Sequence, residues 1–242
     1  MIPKKPRRRI PAERLPALVQ AATRVFCHCG YERAQMADVA REMGVSTGAV
    51  YQYVEGKEAL FDLTVRANAG GGVAGLGDLP LPVKTPAPGA TLEFLRSALN
   101  RPDQWPRLEE ALRLPRAADP GQELEAILVE QYALMREYRY GLVLLTRSAL
   151  EFPGLLEVFV LGLRQLLLKQ LSLYLESRAR AGQVVPQPDW TATAGLLIQT
   201  IAWANLQRPF DPGLSHFPED LMEKTVVTTL ARGILAAPPP MP

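Results

Sequence analysis

The chain has 242 residues, of which 48% are hydrophobic and 21% charged, which suits an ordinary soluble protein of one large or two smaller domains. Its net charge of +2 is unevenly placed: residues 1–57 hold ten lysines and arginines against five acidic residues, and the remainder holds 17 against 20. No run approaches the 18 or more apolar residues of a membrane span, and the basic start leads into an amphipathic segment rather than the apolar core of a secretory signal, so we expect a cytoplasmic protein.

The first eleven residues form a basic arm. Three prolines keep this segment extended, and its charge comes from Lys4, Lys5, Arg7, Arg8 and Arg9. Such an arm is suited to neutralising phosphates or entering the minor groove of DNA. A disordered solubilising tail is the alternative interpretation.

Residues 12–29 are predicted to form the first helix, because apolar residues from Leu15 to Phe26 recur on one face. Cys27, His28 and Cys29 close this helix. Three consecutive helical residues project in different directions and cannot chelate one ion, so we predict no metal site there.

A helix-turn-helix follows. Met36, Val39, Ala40 and Met43 form the apolar stripe of a short helix, and Gly44 is predicted to end it in the left-handed conformation. Ser46 or Thr47 then caps the next helix with a side-chain oxygen.

The second helix of this motif is predicted to read DNA. Val50 and Val54 anchor it, while small polar residues and one tyrosine face outward in a pattern that suits insertion into a major groove. The outward residues are Thr47, Gly48, Tyr51 and Gln52, and the capping residue Ser46 is a further candidate for DNA contact.

The rest of the chain is predicted to be helical, so the fold class is all-α, with a helix-turn-helix domain over 12–56 and a larger helical domain over 57–242. Residues 69–89 are rich in glycine and proline and are predicted to form a flexible loop. Asp119-Pro120 is a strong helix start, with the aspartate as N-cap. The helices are predicted over 57–68, 91–100, 107–114, from 120, and over 141–151, 155–181, 189–207 and 219–236. The helix over 155–181 is apolar almost all round, which is typical of the inside of a bundle.

The last two helices are candidates for a dimer interface. Small residues in the first of them allow close helix approach, and apolar residues on both helices make a self-complementary surface possible. The interface residues would be Leu196, Leu197, Trp203, Val226 and Leu230. The alternative is that both helices close the core of the monomer.

A small-molecule site is inferred from composition alone. Aromatic residues with a few polar groups among apolar neighbours are the usual lining of such a site. The candidates are Trp105, Tyr132, Arg136, Tyr140, Phe159, Gln199 and Trp203. Taken singly, each of them fits a core or surface position better than a ligand contact, and the effector that they suggest together is moderately lipophilic.

Residues 12–61 resemble the DNA-binding domain of TetR-type (tetracycline repressor-like) transcriptional regulators. The resemblance rests on Phe26, Gly30-Tyr31, Asp38-Val39-Ala40, Gly44-Val45-Ser46, Gly48, Val50-Tyr51, Tyr53 and Lys57-Glu58-Ala59-Leu60-Phe61. It implies a homodimer that binds a palindromic operator, usually as a repressor, and releases it when a small molecule enters the helical domain.

The resemblance also assigns backbone-holding positions. Tyr53 and Lys57 match residues that contact the DNA backbone, although burial of Tyr53 against the first helix is an alternative. Ala34 stands where the family often has a threonine that touches phosphate, so we expect Gln35 to supply that contact. Thr47, Ala49 and Val54-Glu55 also depart from the family pattern. Glu55 would be repelled by phosphate, so we expect it to point away from DNA.

Other function classes are less compatible with the residues. The chain has two histidines and lacks a Gly-x-Ser-x-Gly elbow, a phosphate-cradling loop and a spaced metal-ligand set, so we expect neither catalysis nor a cofactor. An activator, a ligand-independent DNA-binding protein and a helical adaptor with an acidic partner remain as alternatives.

Overall fold

A computed structural model describes residues 14–71, 76–99, 104–152 and 154–235. Within these ranges the chain forms helices, turns and two isolated bridges, and no strand, in agreement with the predicted all-α class. The α-helices are α1 Leu15–Arg33, α2 Met36–Met43, α3 Thr47–Val50, α4 Lys57–Arg66, α5 Ala90–Leu99, α6 Pro106–Leu112, α7 Pro120–Glu137, α8 Arg139–Ser148, α9 Gln165–Arg180, α10 Trp190–Ala202 and α11 Glu219–Ile234. Short π-helical segments span Ala67–Gly71, Leu156–Arg164 and Trp203–Gln207, and 3₁₀ turns span Leu76–Asp78 and Arg208–Phe210.

The chain divides into two compact units. The first comprises Met1–Ala98 and Val143–Val158, and the second comprises Leu99–Leu142 and Phe159–Pro242. The helix-turn-helix predicted over 12–56 lies in the first unit, which also includes α4, most of α5 and the second half of α8.

In the first unit, α1 runs further than the sequence predicts. Gly30 has φ +79° and ψ 178°, a conformation that bends the backbone, and the helix resumes as far as Arg33. Buried Leu18, Ala22 and Phe26 lie on the apolar face that the periodicity indicates.

Four aromatic rings pack together in the first unit. The rings of Phe26 and Tyr31, at the end of α1, contact Phe61 of α4 with centroid separations of 5.2 Å and 4.8 Å. Phe152, from the segment after α8, packs on Tyr31 at 5.0 Å and on Phe61 at 4.9 Å. These offset and edge-on contacts stabilise the unit beyond simple burial.

Part of the predicted loop over 69–89 pairs with the helix-turn-helix. The backbone N–H of Val83 donates to the carbonyl oxygen of Tyr53 at 2.7 Å, and the N–H of Glu55 donates to the carbonyl oxygen of Val83 at 3.0 Å. This stretch of the loop therefore has defined hydrogen-bond partners.

The second unit has an apolar core built from α6, α7, α9, α10 and α11. Asp119 caps α7 as predicted, its Oδ1 accepting from the backbone N–H groups of Gly121 and Gln122 at 2.9 Å and 3.0 Å. Asp189 caps α10 in the same way, accepting from the N–H of Ala192 at 2.6 Å.

One helix is long and apolar enough to cross a membrane by length and composition. It spans Leu156–Arg180, with mean hydropathy 1.3 over its most apolar window, one third of which is buried in this fold. Core helices of soluble proteins meet the same criterion. Its burial is one-sided, however: Leu167, Leu171 and Leu175 are buried while Leu166 and Leu173 are exposed, so the predicted position inside a bundle describes only one face.

Candidate DNA-binding and ligand sites

The turn between α2 and α3 has the conformation that the sequence predicts. Gly44 lies at φ +66°, in the left-handed region. Its N–H donates to the carbonyl oxygen of Arg41 at 3.1 Å, and the N–H of Val45 donates to that of Ala40 at 2.9 Å. Ser46 is the N-cap of α3, since its hydroxyl accepts from the N–H of Ala49 at 3.3 Å.

The predicted DNA-reading residues lie on an accessible surface of this motif. Ser46, Gly48, Tyr51 and Gln52 are exposed and Thr47 is partly exposed, while Val50 and Val54 are buried beneath them. We call these five accessible residues the recognition face. Burial of the two valines orients the short α3, so polar groups and one aromatic ring point outward.

Gln35 is also exposed, at the start of α2. Its backbone N–H donates to Asp38 Oδ2 at 3.1 Å, and the N–H of Asp38 donates back to the carbonyl oxygen of Gln35 at 3.0 Å. This reciprocal pair fixes the helix start.

Tyr53 and Lys57 are held by protein contacts. The side chain of Tyr53 is only 6% exposed, as the burial alternative describes. Lys57 Nζ donates to the carbonyl oxygens of Tyr31 and Glu32, both at 3.0 Å, and lies 4.6 Å from the centre of the Tyr31 ring. The Lys57 ammonium therefore satisfies carbonyl groups at the end of α1, which leaves at most one N–H for another acceptor.

Glu55 has partners within the first unit. Its carboxylate accepts from Lys84 Nζ at 2.5 Å and from the backbone N–H of Thr85 at 2.9 Å. The hydrogen bond from Lys84, and then that from Thr85, lowers the pKa of the Glu55 carboxyl, so it is ionised at neutral pH and neutralised by Lys84. The basic arm with Arg7, Arg8 and Arg9 lies outside the described residues.

The cysteines at the end of α1 differ in environment. Cys27 is buried, and Cys29 is half-buried with its Sγ donating to the carbonyl oxygen of Val25 at 3.2 Å. Within the described ranges, no group of three His, Cys, Asp or Glu side chains is placed to hold a metal ion.

The predicted effector residues do not share one environment. Trp105 and Tyr132 belong to the apolar core of the second unit, and Phe159 is also buried. Arg136 Nη1 is paired with Glu223 Oε2 at 2.6 Å on the surface, and exposed positions are occupied by Tyr140, Gln199 and Trp203. Composition finds aromatic residues in helices, but it does not tell which face of each helix they occupy.

A polar cluster in the second unit contains residues that the sequence pattern does not single out. Arg139, at the start of α8, and Arg208, after α10, both pair with Glu219, the first residue of α11. Asn205 accepts from Arg139, and Tyr132 of α7 lies within range of these charges. Charged residues at helix ends are usually solvated, so the sequence gives no signal that these two arginines converge on one carboxylate.

The predicted dimer residues separate into two groups. Leu196 is 64% exposed and Trp203 is 38% exposed, both on one side of α10 and its π-helical continuation. Leu197 and Val226 are core residues, and Leu230 packs partly buried against the same core, as in the alternative that the last two helices close the core of the monomer. An amphipathic pattern cannot distinguish a monomer core from an interface, because both require apolar residues at helical spacing.

Comparison with known proteins places the N-terminal part of the chain in a family. The family described as bacterial regulatory proteins, tetR family, matches residues 18–64. The HTH-type transcriptional regulator HbdR of Aromatoleum sp. (strain CIB) is 39% identical over 54 residues, which is 22% of this chain. The chain matches only 24% of the length of that relative.

Solved structures extend the likeness of fold to most of the chain. The ketosteroid transcriptional regulator KstR2 of Mycobacterium tuberculosis has a TM-score of 0.53 and 15% identity, with 91% of this chain and 94% of that chain covered. AibR, solved with isovaleryl coenzyme A and operator DNA, has a TM-score of 0.51 and 15% identity, with 88% and 95% covered. The helix-turn-helix domain at the N-terminus therefore matches the tetR family of bacterial regulatory proteins over residues 18–64, and the rest of the chain shares only the fold of such regulators.

Proposed function

We propose that this protein is a homodimeric repressor that binds a palindromic operator and releases it when a small molecule binds the second unit. The observation that carries the DNA-binding part is the recognition face. Its polar side chains and the Tyr51 ring project from a motif whose apolar residues are buried, which leaves them available to base edges and phosphates in a major groove.

Fluorescence anisotropy with the DNA upstream of the gene tests this proposal. We expect binding to weaken steeply as salt rises, because phosphate contacts release counterions. Tyr51→Ala and Gln52→Ala are expected to lower affinity by roughly tenfold each. Tyr140→Ala removes an equally exposed tyrosine from the second unit and serves as the matched control. Salt-insensitive binding that Tyr51→Ala leaves unchanged would instead favour an adaptor with an acidic partner.

The dimer part of the proposal rests on an apolar face across two packed helices. Leu166 and Leu173 of α9 are both exposed and lie seven positions apart. Leu196 of α10 and Trp203 of its π-helical continuation are also exposed and have the same spacing. Residues at that spacing lie on one side of a helix. Exposed apolar residues on two helices that pack together are typical of a protein interface, and a two-fold axis would bury them against the same residues of a second copy.

Sedimentation velocity tests the dimer. Leu196→Glu and Leu173→Glu are expected to give monomers, because each places a charge in the buried face. Leu221→Glu, at an exposed leucine of α11, is expected to leave the dimer intact. The opposite pattern would move the interface to α11.

Operator release requires that the small molecule and the operator favour different conformations. By reciprocity, an effector that lowers operator affinity by a given factor binds the operator-bound form more weakly by that same factor. A reporter gene behind the upstream DNA separates a repressor from an activator, since expression falls with the first and rises with the second. Such a protein acts where the chromosome is, in the cytoplasm.

A further inference from the structure

Two arginines of the second unit, Arg208 buried and Arg139 partly buried, share a single carboxylate. Arg139 Nη2 lies 2.5 Å from Glu219 Oε1, and Arg208 Nη2 lies 3.0 Å from Glu219 Oε2. The two arginine side chains are 16% and 2% exposed, and that of Glu219 is 34% exposed. The two guanidinium groups therefore bring two positive charges against the single negative charge of the carboxylate that they share.

The cluster also holds donors that the protein does not use. All three nitrogens of the Arg208 guanidinium have acceptors, because in addition to the contact of Nη2 with Glu219 its Nε donates to the carbonyl oxygen of Ala204 and its Nη1 to that of Phe217, both at 3.1 Å. Among the described residues, the buried Nε of Arg139 and the buried hydroxyl of Tyr132 have no hydrogen-bond partner. A buried donor without an acceptor costs free energy, so such groups usually serve a purpose other than stability.

The surroundings of the unused donors are apolar. Tyr132 is fully buried in the core that also contains Leu128 and Ile201. This burial, with the charge of Glu219 next in importance, raises the pKa of Tyr132 to about 12, so the hydroxyl stays protonated and able to donate. Asn205, which accepts from Arg139 at 3.4 Å, lies in the π-helical segment after α10, and such segments are frequent at functional sites.

A second buried arginine in the same unit shows what a purely structural site looks like. Arg178 pairs with one carboxylate, that of Glu123, at 2.6 Å. Its Nη1 and Nη2 donate to the carbonyl oxygens of Leu114 and Ala111 at 2.8 Å and 2.7 Å. Each of its three nitrogens has an acceptor and its charge is matched, in contrast to the cluster around Glu219.

We propose that Arg139 Nε and the Tyr132 hydroxyl bind the anionic oxygen group of an apolar small acid, a carboxylate or a phosphate, and that this molecule is the effector. The proposal rests on the proposed function for the regulatory role of the ligand. The anion supplies the missing counter-charge and the missing acceptors, while the apolar part of the molecule contacts the neighbouring core. Glu219 stays paired with both arginines and sets their orientation.

Isothermal titration calorimetry tests the proposal with butanoate, hexanoate, octanoate and decanoate, the alkyl phosphates and the alcohols of the same lengths. We expect at least one acid to bind roughly tenfold more tightly than its alcohol, since a charge-assisted hydrogen bond is worth about that factor or more. Comparison of carboxylates with phosphates identifies the anionic group. Acids that bind no more tightly than their alcohols would overturn the proposal.

Two variants test the named residues. Arg139→Gln and Tyr132→Phe are expected to weaken acid binding by about tenfold or more, while Tyr174→Phe and Arg180→Gln, a buried tyrosine and a paired arginine of the same unit, are expected to stay within about twofold. Without ligand, Tyr132→Phe should melt no lower than the parent protein, because the lost hydroxyl has no partner. A lower melting temperature for Tyr132→Phe, or unchanged acid binding in both variants, would assign the cluster a structural role.

The same preparations are assayed on the upstream DNA, which separates the two proposals. Protein that binds the DNA but discriminates no acid from its alcohol overturns the ligand inference and leaves the DNA-binding function standing. Protein that binds the acids through Arg139 and Tyr132 but does not bind the DNA keeps the ligand site and overturns the regulatory role.

Discussion

The carboxylate of Glu151 accepts a hydrogen bond from the backbone N–H of Glu32 at 3.0 Å, although 119 positions of the chain separate the two residues. Gly30 makes this approach possible. A Cβ at Gly30 would collide with Glu151 Oε2 and would lie 3.1 Å from the carbonyl oxygen of Arg147, and the φ of +79° is one that side chains with a Cβ rarely adopt. The end of α1 and the segment after α8 therefore depend on a glycine for their contact.

Gly30→Ala is expected to destabilise the protein by about 2 kcal/mol or more, from the left-handed backbone and the collision together. Glu151→Ala alone should cost about 1 kcal/mol, the value of one hydrogen bond. In the double variant the collision is relieved, so its loss of stability should be smaller than the sum of the losses in the two single variants. Urea unfolding of all four proteins measures this coupling. Strict additivity would show that Glu151 does not constrain position 30.

Gly48→Ala provides the matched glycine control. No atom lies within 4 Å of a Cβ at Gly48, and its φ is not positive, so alanine should raise stability by about 0.5 kcal/mol through helix propensity. The added methyl group lies on the recognition face, so we expect DNA affinity to fall in the anisotropy assay. A variant that loses stability, or binds DNA as the parent does, would contradict this assignment of the surface.

Phe152→Ala is expected to lower the unfolding free energy by about 2 kcal/mol, because it removes ring contacts with Tyr31 and Phe61. Hydrogen exchange should then increase around the end of α1. Phe210→Ala, at an exposed phenylalanine of the second unit, should cost well under 1 kcal/mol. Equal losses in the two variants would mean that the aromatic cluster contributes nothing beyond ordinary surface packing.

Substitution of Tyr53 by alanine is expected to lower stability, whereas the same substitution of Tyr51 is expected to lower DNA affinity. Tyr53→Ala should cost about 3 kcal/mol of stability because its side chain is buried, whereas Tyr51→Ala should cost less than about 0.5 kcal/mol and act on DNA affinity. Thermal unfolding and anisotropy on both variants check this. A stable Tyr53→Ala protein with lost DNA binding would restore the backbone-holding role that the family resemblance implies.

Local signals in the sequence were enough for the helix boundaries that depend on capping. Gly44 and Asp119 act within four residues of their own positions, so their chemistry alone determines the turn and the helix start. The pairing of Glu151 with Glu32 and the convergence of Arg139 and Arg208 on Glu219 depend on contacts between distant segments. No spacing in the sequence encodes them, which is why they were not predicted.

Side-chain orientation sets a second limit on prediction from sequence. Apolar periodicity places Leu197 and Leu196 on adjacent positions of α10, yet one is core and the other is largely exposed. The difference is set by which neighbouring helix covers each face. Tyr53 likewise follows a four-residue helix that is too short to have a periodic face, so its burial is decided by the packing of the unit.

Arg178→Met is expected to cost about 3 to 5 kcal/mol, because it leaves the Glu123 carboxylate and the carbonyl oxygens of Ala111 and Leu114 without their donor. Arg180→Met, two residues along the same helix and paired with Glu176 on the surface, should change stability by less than about 1 kcal/mol. Urea unfolding gives both values. A small loss for Arg178→Met would show that the second unit repacks around the missing guanidinium.

Cys27 is expected to react far more slowly than an ordinary thiol. Burial raises the pKa of Cys27 to about 12, against the opposing effects of Arg147 and the backbone of Leu144, from an ordinary value of 9.0. The thiolate is the reactive form, so at pH 8 iodoacetamide should alkylate Cys27 about a thousandfold more slowly in the folded than in the unfolded chain. Burial also raises the pKa of Cys29, but this half-buried residue should be labelled first.

Because thiolate fractions increase with pH below these pKa values, the labelling rates of both cysteines should rise about tenfold per pH unit. Mass spectrometry of peptides from folded and guanidinium-unfolded protein measures the rates, and equal labelling of the two cysteines in the folded protein would contradict the burial of Cys27.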